Sequence, residues 1–407
     1  MFQRSFKKLA ELDLTFSKLL PVNTLFAAFK KMVPLVIINV YLHLFLKLFL
    51  DRSALIPAVF HIKLRPMPFY QGMLFLTAAF DYLVIAFVMA LWTKSYLNRK
   101  LQVYGYQKDE LLPVLINFAL ALSYGFATYS YASQSAIHII IVIALTYLAN
   151  LSFVGLTRLT KGKLADFGFA YLLWGAIVLG LVSLLYSHLP KLLISNSYAD
   201  FFSQTFFAHW YGLLLAAIVA PILFVLGFAV PMDLTAASMD LSQVNSNMNA
   251  VYQAVMAQLP YPANPYSVLT TAAMLGGTGA ALGLVIVLVL QQNKKTRRLG
   301  LFAFLPAIFD SSKILAYGYP LFLRPLMLVP MILASVFGTV FTTWFILAGW
   351  VRPTVFAVPN STPHILLSFF ASQTPYRSLA VTLIVLLVSV LIYWPFVKAD
   401  KLGGQYE

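Results

Sequence analysis
Within residues 305–325, LPAIFDSSKILAYGYPLFLRP, an apolar stretch is interrupted by Asp310, Ser311, Ser312, Lys313 and Gly318 and bracketed by prolines. Ionisable groups in such a setting are costly, and they commonly mark the path of a solute or ion. Asp310 and Lys313 are three residues apart, so on one helical turn they can neutralise each other; otherwise they are free for solute contact. A second polar interruption, GGTGAALG at 276–283, has no strand before it and no GK[ST] within it, which excludes a nucleotide-phosphate loop. Its small residues serve either close helix approach or a backbone-lined solute site, with Gly276, Gly277 and Thr278 at the turn. Asp81, in the middle of another apolar run, is a candidate gating or counter-ion carboxylate, or the partner of a neighbouring helix. The polar loop 231–247 offers Asp233, Asp240, Gln243, Asn245 and Asn247, side chains suited to sugar hydroxyls. Of these, Asn245 joins Asp310, Ser312, Lys313, Gly276, Gly277 and Thr278 as the expected substrate-binding set.

Other chemistries find little support. Six histidines, His43, His61, His138, His188, His209 and His364, have no metal-type spacing, and most read as interfacial or packing residues. No cysteine is present, so thiolate catalysis and cysteine-held metals are excluded. No catalytic residue, cofactor or metal is expected.

The elements that position these residues are set by composition. Of 407 residues, 61% are hydrophobic and 10% charged, and the mean hydropathy is +0.83, more apolar surface than a water-soluble core can hide. The expected fold is an all-α polytopic membrane protein of about eight to ten transmembrane helices, plus two re-entrant or broken elements in the C-terminal half. Runs long enough to cross the roughly 30 Å hydrocarbon layer lie at 32–50, 69–91, 111–129, 137–156, 167–187, 210–228, 326–349 and 379–396, and the broken regions at 268–290 and 299–322. Trp92, Trp210, Trp350 and Trp394 fall at span ends and read as interface anchors.

The formal charge of +15 comes from short basic runs between apolar segments, the pattern of cytoplasmic loops rather than of nucleic-acid binding. Lys30 and Lys31 precede the first span; Lys94, Arg99 and Lys100 follow the second; Arg158, Lys161 and Lys163 follow the fourth. Both termini are therefore expected inside, and the basic N-terminus, with no small-residue cleavage site, reads as no removable signal. Arg298 and Arg324 both favour the inside, and the 25 residues between them suffice for a re-entrant hairpin, not for two crossings. The expected domains are 1–190, a packing and dimerisation unit, and 191–407, a solute unit.

Four ordered segments carry a family resemblance. NTLFAAFKKMVP (23–34) looks like an N-x5-F-x-R/K-x2-P pattern, LGGTGAALGL (275–284) like GGSGATLGL, 305–325 like LPxGIFxINEPxxFGLPxxxNP, and YWPFV (393–397) like YxPFV. Together the chain resembles enzyme IIC of the sugar phosphotransferase system, of the lactose/cellobiose/diacetylchitobiose type. The resemblance implies a permease in the bacterial cytoplasmic membrane, a β-linked disaccharide held in a C-terminal domain with two re-entrant hairpins, homodimerisation through the first five helices, and cytoplasmic IIB and IIA partners. The motif is departed from where the family glutamate falls on Lys313, the asparagine and proline on Ser312 and Ile314, and the family histidine on Ala229. A charged lysine accepts no hydroxyl proton. Two readings therefore stand: a sugar permease, or a degenerate membrane sensor without phosphoryl transfer.

Overall fold
Each of the eight apolar runs forms a helix in the computed structural model, which describes residues 2–51, 54–62, 67–106, 111–128, 138–163, 167–193, 204–228, 242–253, 259–359 and 361–400. An amphipathic α1 (Phe2–Lys18) precedes α2 (Leu20–Phe45), which widens into a π-turn at Leu46–Leu50 and leads through the short α3 (Leu55–Phe60). There follow α4 (Met67–Val103), α5 (Leu111–Thr128), α6 (Ile139–Leu159), α7 (Gly168–Leu193), α8 (Trp210–Leu226) and α9 (Ser242–Tyr252). The C-terminal elements are α10 (Pro265–Ala273, a π-helix), α11 (Ala281–Val289), α12 (Lys294–Ile308), α13 (Lys313–Gly318), α14 (Pro325–Leu347), α15 (His364–Ala371) and α16 (Pro375–Ala399). Among the described residues, six helices are long and apolar enough to cross a membrane, and those over Leu111–Gly125 and Trp210–Leu226 are shorter apolar helices. The chain is thus an all-α polytopic membrane protein.

Proline opens α14 and α16 in their first turn, where its missing N–H costs nothing. Asn264 and Asn293 cap α10 and α12 by accepting backbone N–H bonds from Ser267 and Lys295, as short polar side chains do at a helix start. Lys294, Lys295, Arg297 and Arg298 then crowd the first turns of α12, against the helix dipole. Their placement follows the bilayer surface rather than helix stability.

Three apolar cores run through the bundle. One joins α2 to α4–α7 around Phe29, Met89, Trp92 and Tyr124; one gathers α11–α14 and α16 around Leu284, Ile314, Met327 and Tyr393; the third packs α8 and α10 against α14–α16. Inside the first, Asn117 of α5 donates to Thr93 of α4 at 3.0 Å and to Asn150 of α6 at 2.9 Å. Polar side chains bonded in this way hold helices that have no hydrophobic drive to associate in lipid.

Two expected boundaries shift. Lys30 and Lys31 lie inside α2, and α4 continues to Val103, carrying Lys94, Arg99 and Lys100 within it, because helices run on through the interface while long basic side chains reach for water. Trp92 is not an interface anchor: it is 2% exposed and donates its indole N–H to the Pro21 carbonyl at 2.9 Å. An indole buried with a satisfied N–H ties α4 to α2.

Candidate functional site
Both polar interruptions break their helices, and the two breaks face each other. In the first, α10 and α11 are joined by a turn in which Gly276, Gly277 and Gly279 all have positive φ, 77°, 106° and 79°. The turn closes on itself through Ala280 N–H to Ala273 O and Leu282 N–H to Leu275 O. At Gly277 a side chain is excluded twice over: the backbone lies where L-residues are strained, and a Cβ would stand 3.0 Å from Ser312 Oγ. The tip of one broken element therefore rests on the other. The same run also packs closely along its length, with the site of a Gly283 Cβ lying 2.8 Å from Ser389 of α16, which is the close helix approach expected of small residues.

In the second break, α12 ends on a paired turn: Asp310 N–H bonds Ala307 O at 3.0 Å and Ser311 N–H bonds Pro306 O at 2.9 Å. This is the Schellman arrangement, whose left-handed position usually carries glycine. Here it carries Asp310, with φ 65°. Aspartate tolerates that conformation better than most residues, and its carboxylate is bonded three ways. Oδ1 accepts from Gly276 N–H at 3.0 Å, Oδ2 accepts from His364 N–H at 3.0 Å, and His364 Nδ1 lies 3.1 Å from Oδ1. Asp310 thus fastens the glycine turn, the α12–α13 break and the first residue of α15 to one another. His364 Nδ1 also lies 3.1 Å from Met274 O; with an acceptor on each side that nitrogen carries the proton. Its other ring nitrogen is buried with no partner among the described residues.

Lys313 does not pair with Asp310. Instead Lys313 Nζ reaches Asp81 of α4, 3.3 Å from Oδ2 and 3.4 Å from Oδ1. Asp81 also accepts from Asn39 Nδ2 at 2.6 Å and lies 2.8 Å from His43 Nε2, both on α2. Asn39 and His43, one helical turn apart, share a face. This cluster is partly open: the side chains of Lys313, His43 and Asp81 are 44%, 33% and 16% exposed.

A second charged cluster closes the same segment at its far end. Arg324 Nη2 is 2.7 Å from Asp13 of α1 and 2.8 Å from Asp400 beyond α16, its Nη1 is 3.1 Å from Asp400, and Asp13 also accepts from Leu326 N–H at 3.3 Å. All three side chains are nearly sealed, at 3%, 3% and 1% exposure. Burial works against the guanidinium charge, but Asp400 and Asp13 outweigh it and hold its pKa above the ordinary arginine value.

Of the expected substrate-binding residues, Gly276, Gly277, Thr278, Asp310, Ser312 and Lys313 lie on the two breaks. Asn245 does not face inward from its own helix: it is exposed on α9. Its buried neighbours Gln243 and Asn247 spend their amides on Gln204 O and on the Tyr261 backbone. Asp233, Asp240 and Ala229 lie outside the described residues. Sequence reasoning missed Asn39, His43 and His364; His43 and His364 are carboxylate partners rather than interfacial or packing residues.

The fold and the site define a polytopic helical membrane protein with two apposed broken elements and ionisable groups packed among its apolar helices. By sequence, part of the chain is similar to IIC components of the sugar phosphotransferase system. It is 30% identical over 132 residues to the cellobiose-specific component of Lactococcus lactis, covering 32% of this chain and 27% of that one. It is also 30% identical over 126 residues to the lichenan permease IIC component of Bacillus subtilis, covering 30% and 28%. Over 146 residues it is 30% identical to the oligo-β-mannoside-specific component of the same organism, covering 35% and 33%. The chain therefore matches a third or less of the length of these curated relatives. No protein-family model matches. A crystal structure of the IIC component of an N,N′-diacetylchitobiose-specific phosphotransferase system superposes over 97% of each chain with a TM-score of 0.43 and 17% identity.

Proposed function
We propose that this chain is a sugar permease of the IIC type, binding a β-linked disaccharide or related oligosaccharide between its two broken elements and passing it across the bacterial cytoplasmic membrane. The observation that carries the reading is the apposition of the Gly276–Gly277 turn with Ser312 under the Asp310 fastening. That apposition supports the reading because the turn's backbone amides, Thr278, the Ser312 hydroxyl and Lys313 are groups of the kind that bond sugar hydroxyls. The sequence relatives are permease components, which favours transport over sensing. Both termini inside, a homodimer built on the N-terminal helices, a solute unit from about residue 191 and cytoplasmic IIB and IIA partners belong to the same proposal. No phosphoryl-transfer step is assigned to this chain's residues, since Lys313 is engaged by Asp81 and an ammonium accepts no hydroxyl proton.

Calorimetry with cellobiose, alongside lactose as a second β-linked disaccharide, tests the reading on the purified protein. Saturable heat that is weakened at least tenfold in Ser312→Ala is expected, together with uptake of the bound sugar into proteoliposomes. Binding without uptake would return the protein to the sensor class.

A further inference from the structure
We propose that the outward face of α12 binds an anionic phospholipid, with the headgroup phosphate held by the basic residues of its first turns and the acyl chains laid on the apolar residues below them. Lys294, Lys295, Arg297 and Arg298 are all exposed. Among the described residues, none of the four forms an ion pair with a carboxylate. Like charges one helical turn apart repel, and the helix dipole opposes cations at this end. Lys295 and Lys30 of α2 also repel each other. The start of the helix is already capped, because Asn293 Oδ1 accepts the Lys295 and Thr296 N–H bonds. The unneutralised side chains, not the helix end, therefore suit an anion.

What lies below the charges decides which anion. Seven positions on from each basic residue, in order, stand Leu301, Phe302, Phe304 and Leu305, each between 40% and 53% exposed. Seven residues are close to two helical turns, roughly 10 Å, so the outward face carries parallel lanes with a cation at the top and an apolar side chain beneath. The opposite face carries Gly300, Ala303, Pro306 and Ala307, all buried, and a Gly300 Cβ would stand 2.8 Å from the Val289 backbone nitrogen of α11. Small residues thus seat α12 against its neighbour and leave these large side chains outward. A phospholipid presents its charge and its hydrocarbon in the same order. A soluble acidic protein would match the cations and leave the apolar half bare. A second copy of this chain, meeting the face about a two-fold axis, would bring the same cations against these. The far end of α12 is the paired turn at Asp310, so the lipid would steady the helix from which the second break hangs.

The test uses the full-length protein in a neutral maltoside detergent and contains no sugar, so its outcome is independent of the permease reading. Native mass spectrometry after titration with phosphatidylglycerol or phosphatidylcholine should show phosphatidylglycerol retained about tenfold more tightly or better. That preference should vanish when Lys294→Gln, Lys295→Gln, Arg297→Gln and Arg298→Gln are combined, a change that keeps helix-forming side chains. If the fourfold variant does not fold, Lys294→Gln with Arg298→Gln should lower the preference about threefold. Leu301→Gln with Leu305→Gln, all four charges kept, should weaken retention by about threefold as well. Equal retention of the two lipids by the wild-type protein, or an unchanged preference in the charge variants, overturns the proposal and leaves the cations to a soluble acidic partner. Displacement of phosphatidylglycerol by inorganic phosphate at matched ionic strength, or indifference to the loss of Leu301 and Leu305, would make the ligand a free anion. A change of oligomeric mass in the charge variants would make the face an interface between copies. Either of these last results overturns lipid binding.

Discussion
Two charged clusters sit eleven residues apart on one segment, at Lys313 and Arg324, and they are built in opposite ways. Arg324 is sealed, bonded to two carboxylates by three of its nitrogens, with contacts as short as 2.7 Å. Lys313 is half open and reaches the Asp81 carboxylate at 3.3 to 3.4 Å. A sealed, forked pair is rigid because the planar guanidinium matches its acceptors, whereas a lysine ammonium on a flexible stem can let go. The first arrangement holds the end of the broken segment in place; the second leaves its middle able to move.

The largest effect should come from breaking the sealed cluster. Arg324→Met removes the guanidinium bonded to the buried Asp13 and Asp400 carboxylates, and a loss of about 3–5 kcal/mol is expected, read as a lower melting temperature in detergent. A wild-type melting curve would abolish the distinction between the two clusters. Next, Asp310→Asn keeps a residue tolerant of the left-handed turn but loses the carboxylate charge and an acceptor, for an expected loss of about 1–3 kcal/mol. Hydrogen exchange at Gly276 and His364 should rise with it; unchanged protection there would separate Asp310 from the fastening role. Gly277→Ala should cost about 1–2 kcal/mol in backbone strain and weaken cellobiose binding, since the added methyl group also pushes on Ser312; equal affinity would move the sugar away from this turn. The smallest stability effect is expected at the open cluster. Lys313→Met leaves Asp81 bonded to Asn39 and His43 and should cost less melting free energy than any of these, while cellobiose affinity drops at least tenfold; a large stability loss with unaltered binding would make the two clusters alike.

Much of this architecture was legible in the sequence. The eight apolar runs, the two breaks and their polar residues follow from hydropathy and from glycine and charge placement. The pairing at the breaks was not. Spacing of three joins Asp310 to Lys313 only if the helix continues, and the left-handed residue at Asp310 ends it between them. His43 and His364 were passed over because their carboxylates come from 38 and 54 residues away. Asn39 and His43, on one face of an apolar helix, were the available signal for a partner such as Asp81. Trp92 misled for a related reason: its acceptor, the Pro21 carbonyl, is 71 residues distant.

The Arg324 cluster also sets an order of assembly. Asp13 lies 311 residues before Arg324 in the chain and Asp400 lies 76 residues after it. The segment bearing both breaks is thus inserted well before one of its two anchoring carboxylates exists. Contacts of such separation form late, so this end of the molecule waits for α16, and a chain stopped short of Asp400 is left with its central segment fixed on one side only.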